Sequence, residues 1–324
     1  METVVVLVAG GHGVATSLWC ASPGAVLVRY DLAGLRSGVV RRWVDGSLEV
    51  LELEHGCVSC TLRHDLLPLL DALGGHVVVD LDPALEPEAV CLALADRPVR
   101  VAAVVTAVDA ATWLAEATGD EELVSDVPGD ERTLAQVVVG RTEFADVLVV
   151  VGEPDPALDA VLDRLSPGVP RVSLADLPAA VAGLRRVPRF DQVTGSLLRG
   201  APLDPAGDVG VVHFVASRPF HPMRLHIALD VLLDGVVRGR GRLWLVSQPD
   251  ALLWLESAGG GLHMGEIGRR TGGVQEIVAI TWKAAEFEIV SALREALVTD
   301  EEWALADELD FVDPFAEHEM EELQ

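Results

Sequence analysis

The chain has 324 residues, half of them apolar, and 24 Lys and Arg stand against 51 Asp and Glu for a formal charge of -27. That length and apolar content suffice for two domains with full cores. The charge opposes direct binding to nucleic acid, because phosphate contacts need clustered basic side chains and the field here has the wrong sign.

The first residues, Met1-Glu2-Thr3 and then the apolar run Val4 to Ala9, carry an acid where a signal peptide would be basic. No stretch approaches the ~18 apolar residues of a membrane span. A cytoplasmic protein with no membrane partner is expected. Four cysteines, Cys20, Cys57, Cys60 and Cys91, do not suggest a disulfide scaffold in such a chain. Cys20 and Cys91 lie in apolar surroundings and are expected to be buried.

In chain order, strands are predicted at 4–9, 25–30, 48–53, 77–81, 101–108 and 147–151, and helices at 61–73, 86–95, 110–117 and 156–165. Val-rich strands separated by helices imply a doubly wound α/β domain whose parallel sheet is covered on both faces. The domain is expected over residues 1–186. Residues 187–210 are rich in Pro and Gly, with little periodicity, and read as a linker. Beyond it, strands at 211–217, 242–246, 251–256, 263–267 and 275–281, with helices at 223–233 and 284–297, predict a smaller α+β domain over 211–298. After Arg294 there is neither Lys nor Arg, while eleven acids follow from Asp300 to Glu322. Residues 299–324 therefore read as an acidic tail, either solvated or a docking segment for a basic partner.

The first strand-to-helix loop is where an open α/β sheet builds a phosphate site, from glycine N–H groups, a lysine and a magnesium-binding hydroxyl. Here it reads Ala9-Gly10-Gly11-His12-Gly13-Val14-Ala15-Thr16-Ser17. Ala15 stands where the lysine belongs and Val14 where a glycine belongs. Gly10, Gly11, Gly13 and Thr16 remain, consistent with either a residual phosphate cradle or a plain tight turn. After the strand 147–151, where a guanine-reading loop would present Asn-Lys-x-Asp, the chain has Gly152-Glu153-Pro154-Asp155. Of that signature only Asp155 is kept. Each lost charge-assisted bond is worth about 1.5–3 kcal/mol, so hydrolysis is not expected as a main function.

Cys57-Val58-Ser59-Cys60 lies between a predicted strand and a predicted helix, a turn at which two thiols can share one soft metal ion or form a redox pair. A merely structural pair is the third reading. Two thiolates need further ligands, and Glu54 and His55 are the nearest candidates. In the second domain, His221 and His226 are either a metal pair or hydrogen-bonded imidazoles.

Several segments together resemble the CobW-like family of P-loop GTPases and metallochaperones. They are the first loop, Gly56 to Leu66, Val104-Val105-Thr106-Ala107-Val108-Asp109, Phe144-Ala145-Asp146-Val147, Arg218-Pro219-Phe220-His221-Pro222, and Asp234 to Trp244. Cys57-Val58-Ser59-Cys60, Leu134 to Gly140, Glu256 to Leu262 and Asp313-Pro314-Phe315 look most like the actinobacterial Mrf branch, whose members recruit a ribosome hibernation factor when zinc is scarce. The resemblance implies a P-loop-GTPase-like fold followed by a CobW C-terminal-like domain. It implies residual nucleotide contacts at Gly10, Gly11, Gly13, Thr16, Ser17 and Asp155, with GTP and magnesium held weakly or lost. Zinc is the implied metal, on Cys57 and Cys60, although Ser59 replaces the central thiol of the family's Cys-x-Cys-Cys motif. Asp80 and Asp82 follow the strand where the family places its magnesium-side acid; turn formation before Pro83 explains them equally well. The expected function is a non-enzymatic adaptor whose partners are a hibernation factor and the ribosome. The alternative is a zinc metallochaperone with residual GTP binding or hydrolysis.

Overall fold

The computed structural model describes residues 2–53, 58–125, 127, 129–184, 186, 197 and 200–316, and at Ser59, Cys60 and Leu62 the backbone alone. The elements in chain order are β1 (Thr3–Ala9), α1 (Val14–Cys20), β2 (Val26–Gly34), β3 (Val39–Val44) and β4 (Ser47–Glu52). Then come α2 (Val58–Thr61), a π-helical turn (Leu62–Leu66) running into α3 (Leu67–Leu73), β5 (Gly75–Asp80), α4 (Pro87–Leu94), β6 (Val99–Asp109) and α5 (Trp113–Thr118). The first unit closes with α6 (Leu134–Phe144), β7 (Val147–Val151), α7 (Pro156–Leu165), β8 (Arg171–Val172) and α8 (Leu177–Gly183).

These strands form one sheet in the order β4-β3-β2-β5-β1-β6-β7-β8. The central strand β1 pairs in parallel with β5 and β6. Its alternation sorts the core: Val5 and Leu7 join Leu66, Leu70, Val90 and Leu94 on one face, while Val8 joins Val14, Leu18 and Leu177 on the other. The expected doubly wound α/β domain is therefore present, with one correction. The sheet is not wholly parallel, because β3 runs antiparallel to β2 and β4 antiparallel to β3. For the β3–β4 pair the cause is local: Asp45 and Gly46 both have positive φ (47° and 85°), which gives the tight Asp-Gly hairpin turn that matches strand twist.

The second unit comprises β9 (Val209–Ala216), α9 (Pro222–Leu233), β10 (Val236–Leu243), β11 (Ala251–Ala258), β12 (Gly261–Arg269), β13 (Gln275–Trp282), α10 (Glu286–Glu295) and α11 (Asp300–Ala304). Its five strands are antiparallel in the order β12-β11-β10-β13-β9. Helices α9 and α10 cover one face over Phe214, Leu225, Leu229, Leu255, Ile277, Ile289 and Leu293. This is the expected α+β domain, but β10 begins at Val236 rather than at residue 242. Its Arg-Gly alternation reads as loop, yet the arginines find carboxylates: Arg240 pairs with Glu143, Arg238 with Glu256, and Arg242 with Glu276.

The two sheets share an apolar cluster in which Trp113, Leu148, Leu158 and Leu162 meet Val209, Val237, Ala258 and Ile280. At its rim the turn between β11 and β12 lies directly on the loop after α5. Gly259 has φ +50, and a Cβ there would stand 2.3 Å from the Gly119 carbonyl oxygen. The Gly259-Gly260-Gly261 run is therefore a contact between the two units.

The acidic segment is folded against the second unit as far as residue 316. A capping box between Thr299 and Glu302 starts α11. Arg224 holds Glu302 at 2.6 Å and Arg218 pairs with Asp300. Trp303 stands edge-on to Trp244, Phe311 to His221 and Phe315 to His226. Among the described residues no helix is long and apolar enough to cross a membrane. Cys91 is buried as expected, whereas Cys20, at the end of α1, is exposed. The apolar neighbours of Cys20 in sequence point inward from the helix, and the thiol does not.

Candidate functional site

The loop from β1 to α1 turns on left-handed backbone at Gly10, His12 and Gly13, with φ 91°, 55° and 70°. Gly10 is also sterically required, since a Cβ there would meet the Ala107 carbonyl oxygen on β6 at 2.6 Å. Ala15 is 1% exposed and packs with Val8, Val14 and Leu18 in the core. Position 15, where a phosphate loop would carry its lysine, holds a buried methyl. His12 Nε2 lies 3.9 Å from Asp109 Oδ2 at the end of β6. Ser17 is exposed on α1.

The Thr16 hydroxyl that follows Ala15 is engaged with the chain itself. Arg29, opposite Asp80 in the register of β2 and β5, donates from Nε to Asp80 Oδ2 at 2.7 Å and from Nη2 to Thr16 Oγ1 at 3.2 Å. Asp82 accepts from the N–H groups of Leu32 and Ala84, each at 2.9 Å, and so shapes the turn before Pro83. Burial raises the Asp82 carboxyl pKa above the usual range, although those two donors oppose the shift. Across the sheet, Asp155 caps α7 by accepting from Leu158 N–H at 2.8 Å.

Glu54, His55 and Cys57 lie outside the described residues, as does the Cys60 side chain. The helix that follows is anchored firmly. Asp65 accepts from the Tyr30 hydroxyl at 2.5 Å and from Arg42, which also reaches Glu49. Burial first, then Asp65, drives the Tyr30 pKa up, so the phenol stays a donor at all working pH. Val58 lines an open groove of about 580 Å³ together with Glu86, Asp130, Glu131 and His263, the last from β12 of the second unit. Among the described residues no three His, Cys, Asp or Glu side chains gather closely enough to hold a metal. His221 and His226 each meet a phenylalanine edge-on, and His213 Nε2 lies 3.0 Å from Glu276 Oε1.

The groove borders a cavity of about 420 Å³ between the two units, floored by Ala9 and Gly10 and walled by α4, α6, β10 and β11. Its charges are largely paired. Arg132 bonds Asp130 and Glu86, and Arg238 and Arg240 both reach Glu143 and Glu256. Burial raises the Glu88 carboxyl pKa, helped by Glu86, Glu256 and Glu143. For Glu256, burial acts the same way, but Arg238 and Arg240 together outweigh it and leave the carboxyl below its usual range. Burial lowers the Arg141 pKa. Sequence reasoning missed this cavity, because its walls come from four separated segments; the Arg-Gly alternation of β10 was the one signal of it.

Residues 209–297 match the family described as Cobalamin synthesis protein cobW C-terminal domain. The chain is 40% identical, over 392 aligned positions covering 99% of it and 96% of the relative, to "Zinc chaperone Rv0106" of Mycobacterium tuberculosis. It is 23% identical to "Zinc-regulated GTPase metalloprotein activator 1" of Dictyostelium discoideum, over 63% of this chain and 51% of that one. Among solved structures, the zinc-bound YjiA GTPase of E. coli aligns over 91% of this chain and 99% of its own, at 17% identity and a TM-score of 0.37. With a near-full-length relative at 40% identity and a second domain of the cobW C-terminal type, the chain belongs to the CobW-like family.

Proposed function

We propose that this chain is a zinc-handling protein of the metallochaperone kind, with zinc as its cargo. The observation that carries this reading is the position of Val58, between Cys57 and Cys60 in sequence, on the wall of a groove shared with Glu86 and His263. A Cys-x-x-Cys segment whose Val58 lines a groove with one imidazole and several carboxylates suits a borderline-soft ion that must be taken up and passed on. The name carried by the 40% identical relative supports the same reading. Zinc competition against a chromogenic chelator tests it: about one ion per chain is expected, held more weakly than by three thiolates and lost in Cys57→Ser. Unchanged stoichiometry in the double Cys57→Ser, Cys60→Ser variant would sink the reading.

The reading includes loss of GTP hydrolysis, supported by Ala15 and Glu153 at the two lysine positions. The adaptor of the Mrf kind, gripping a basic hibernation factor, is a second reading, and the charge of -27 favours it. Its test is a pull-down from zinc-starved cells over a range of salt, since exposed attraction is screened over about 10 Å at 0.1 M. Recovery of a hibernation factor at low salt, lost at high salt, supports the adaptor. Recovery of none rejects it.

A further inference from the structure

A phosphate loop that works with magnesium holds the ion between the loop's Ser or Thr hydroxyl and an acid at the end of a neighbouring strand. In this chain those two oxygens belong to Thr16 and Asp80, and both are bonded to one guanidinium. Arg29 Nε donates to Asp80 Oδ2 at 2.7 Å, and Arg29 Nη2 donates to Thr16 Oγ1 at 3.2 Å. We infer that Arg29 is a built-in replacement for the magnesium ion, which closes this site to divalent cations.

Three observations converge on it. The arginine sits directly opposite Asp80 in the parallel register, so the pairing is set by the sheet rather than by a wandering side chain. The planar fork spans two acceptors at once, a geometry that a guanidinium satisfies and an ammonium does not. The other cation of such a site, the loop lysine, is replaced by the buried Ala15, so Arg29 is the positive group bonded at this end of the sheet. Magnesium requires near-octahedral oxygen coordination at about 2.0–2.1 Å. With Asp80 Oδ2 and Thr16 Oγ1 both occupied by N–H donors, the protein does not offer its two hard oxygens to the ion, and the residues present do not fit it.

The test uses the full chain and Mn²⁺ alone as the probe, with bound ion read by electron paramagnetic resonance. Wild type is expected to show no saturable site. Arg29→Gln is expected to gain one, at least about tenfold tighter than any background association with wild type, because the positive charge bonded to Asp80 and Thr16 has been removed. Adding Asp80→Asn to that variant should abolish the gain, and Arg29→Lys, which keeps the charge but loses the fork, should gain less than Arg29→Gln. The Arg29 side chain is 44% exposed, so the Arg29 variants keep the fold. Saturable Mn²⁺ binding in wild type overturns the inference. So does failure of Arg29→Gln to gain a site, since something other than the arginine would then be closing it. A gain in Arg29→Lys equal to that in Arg29→Gln also overturns it, because the replacement cation would then not matter.

Discussion

Arg240 on β10 and Glu143 on α6 form a buried ion pair between the two units, with Nη2 donating to Oε2 at 2.7 Å and both side chains at 5% exposure or less. Removing one partner of such a pair leaves an uncompensated charge in the core and costs about 3–5 kcal/mol. Glu143→Ala should therefore lower the chemical denaturation midpoint sharply. A double replacement by apolar residues of similar volume should recover most of that loss. If Glu143→Ala unfolds at the wild-type midpoint, the pair is not holding the units together.

Phosphate release from GTP or ATP is expected to match that of a Thr16→Ala control. Restoring the lysine should not restore turnover, because position 15 faces the core between Val8 and Leu18. Ala15→Lys is expected to destabilise the protein by about 1–3 kcal/mol through overpacking. Malachite-green assays and thermal melts read both outcomes, and turnover in wild type that vanishes in Thr16→Ala would contradict the first.

The hydrogen bond from Arg224, aided by the Thr299 donors, lowers the pKa of Glu302 from 4.5 to about 2. A carboxyl depressed on folding contributes stability that is fully present above its unfolded value and is lost as pH falls through the folded one. Docking of α11 should thus weaken between pH 4.5 and about 2. The part of the tryptophan fluorescence that Trp303→Phe removes should change over that window. In Glu302→Gln that pH step should be missing.

Thiol alkylation should separate Cys20 from Cys91. Burial first pushes the Cys91 thiol up to about 11, while Cys20 is exposed at the end of α1. At pH 8, peptide mapping after a short iodoacetamide pulse should find Cys20 modified and Cys91 intact. Equal labelling would mean that α4 opens readily from the sheet.

Much of the first domain is legible in the sequence because runs such as Val147–Val151 and Val4–Ala9 combine branched side chains with flanking turn residues. The helix Leu134–Phe144 was not read, since its Val137-Val138-Val139 run favours strand; the Thr133–Gln136 capping box decides otherwise. β4 was expected as the strand 48–53, but its partner β3 hides behind Arg41 and Arg42, and Asp45-Gly46 was the readable mark of the hairpin. The loop between β1 and α1 lies where the sequence places it, and the absence of a lysine from it is plain from the residues alone. The partner of Thr16 and Asp80 is not, because Arg29 reaches them only through the β2–β5 register, a tertiary fact. The cavity between the units depends likewise on strand pairings that no local pattern encodes.

Arg29 and Tyr30 are neighbours on β2, and their side chains leave opposite faces of the sheet. One bonds the phosphate loop through Thr16 and the other bonds the helix after the cysteine segment through Asp65. A one-residue slip of this strand would exchange the two faces, delivering a phenol to the loop and a guanidinium to the apolar core. Both anchors would fail together. The alignment of β2 is thus specified twice by adjacent residues, and a substitution that relaxes one of them leaves the other to enforce the frame.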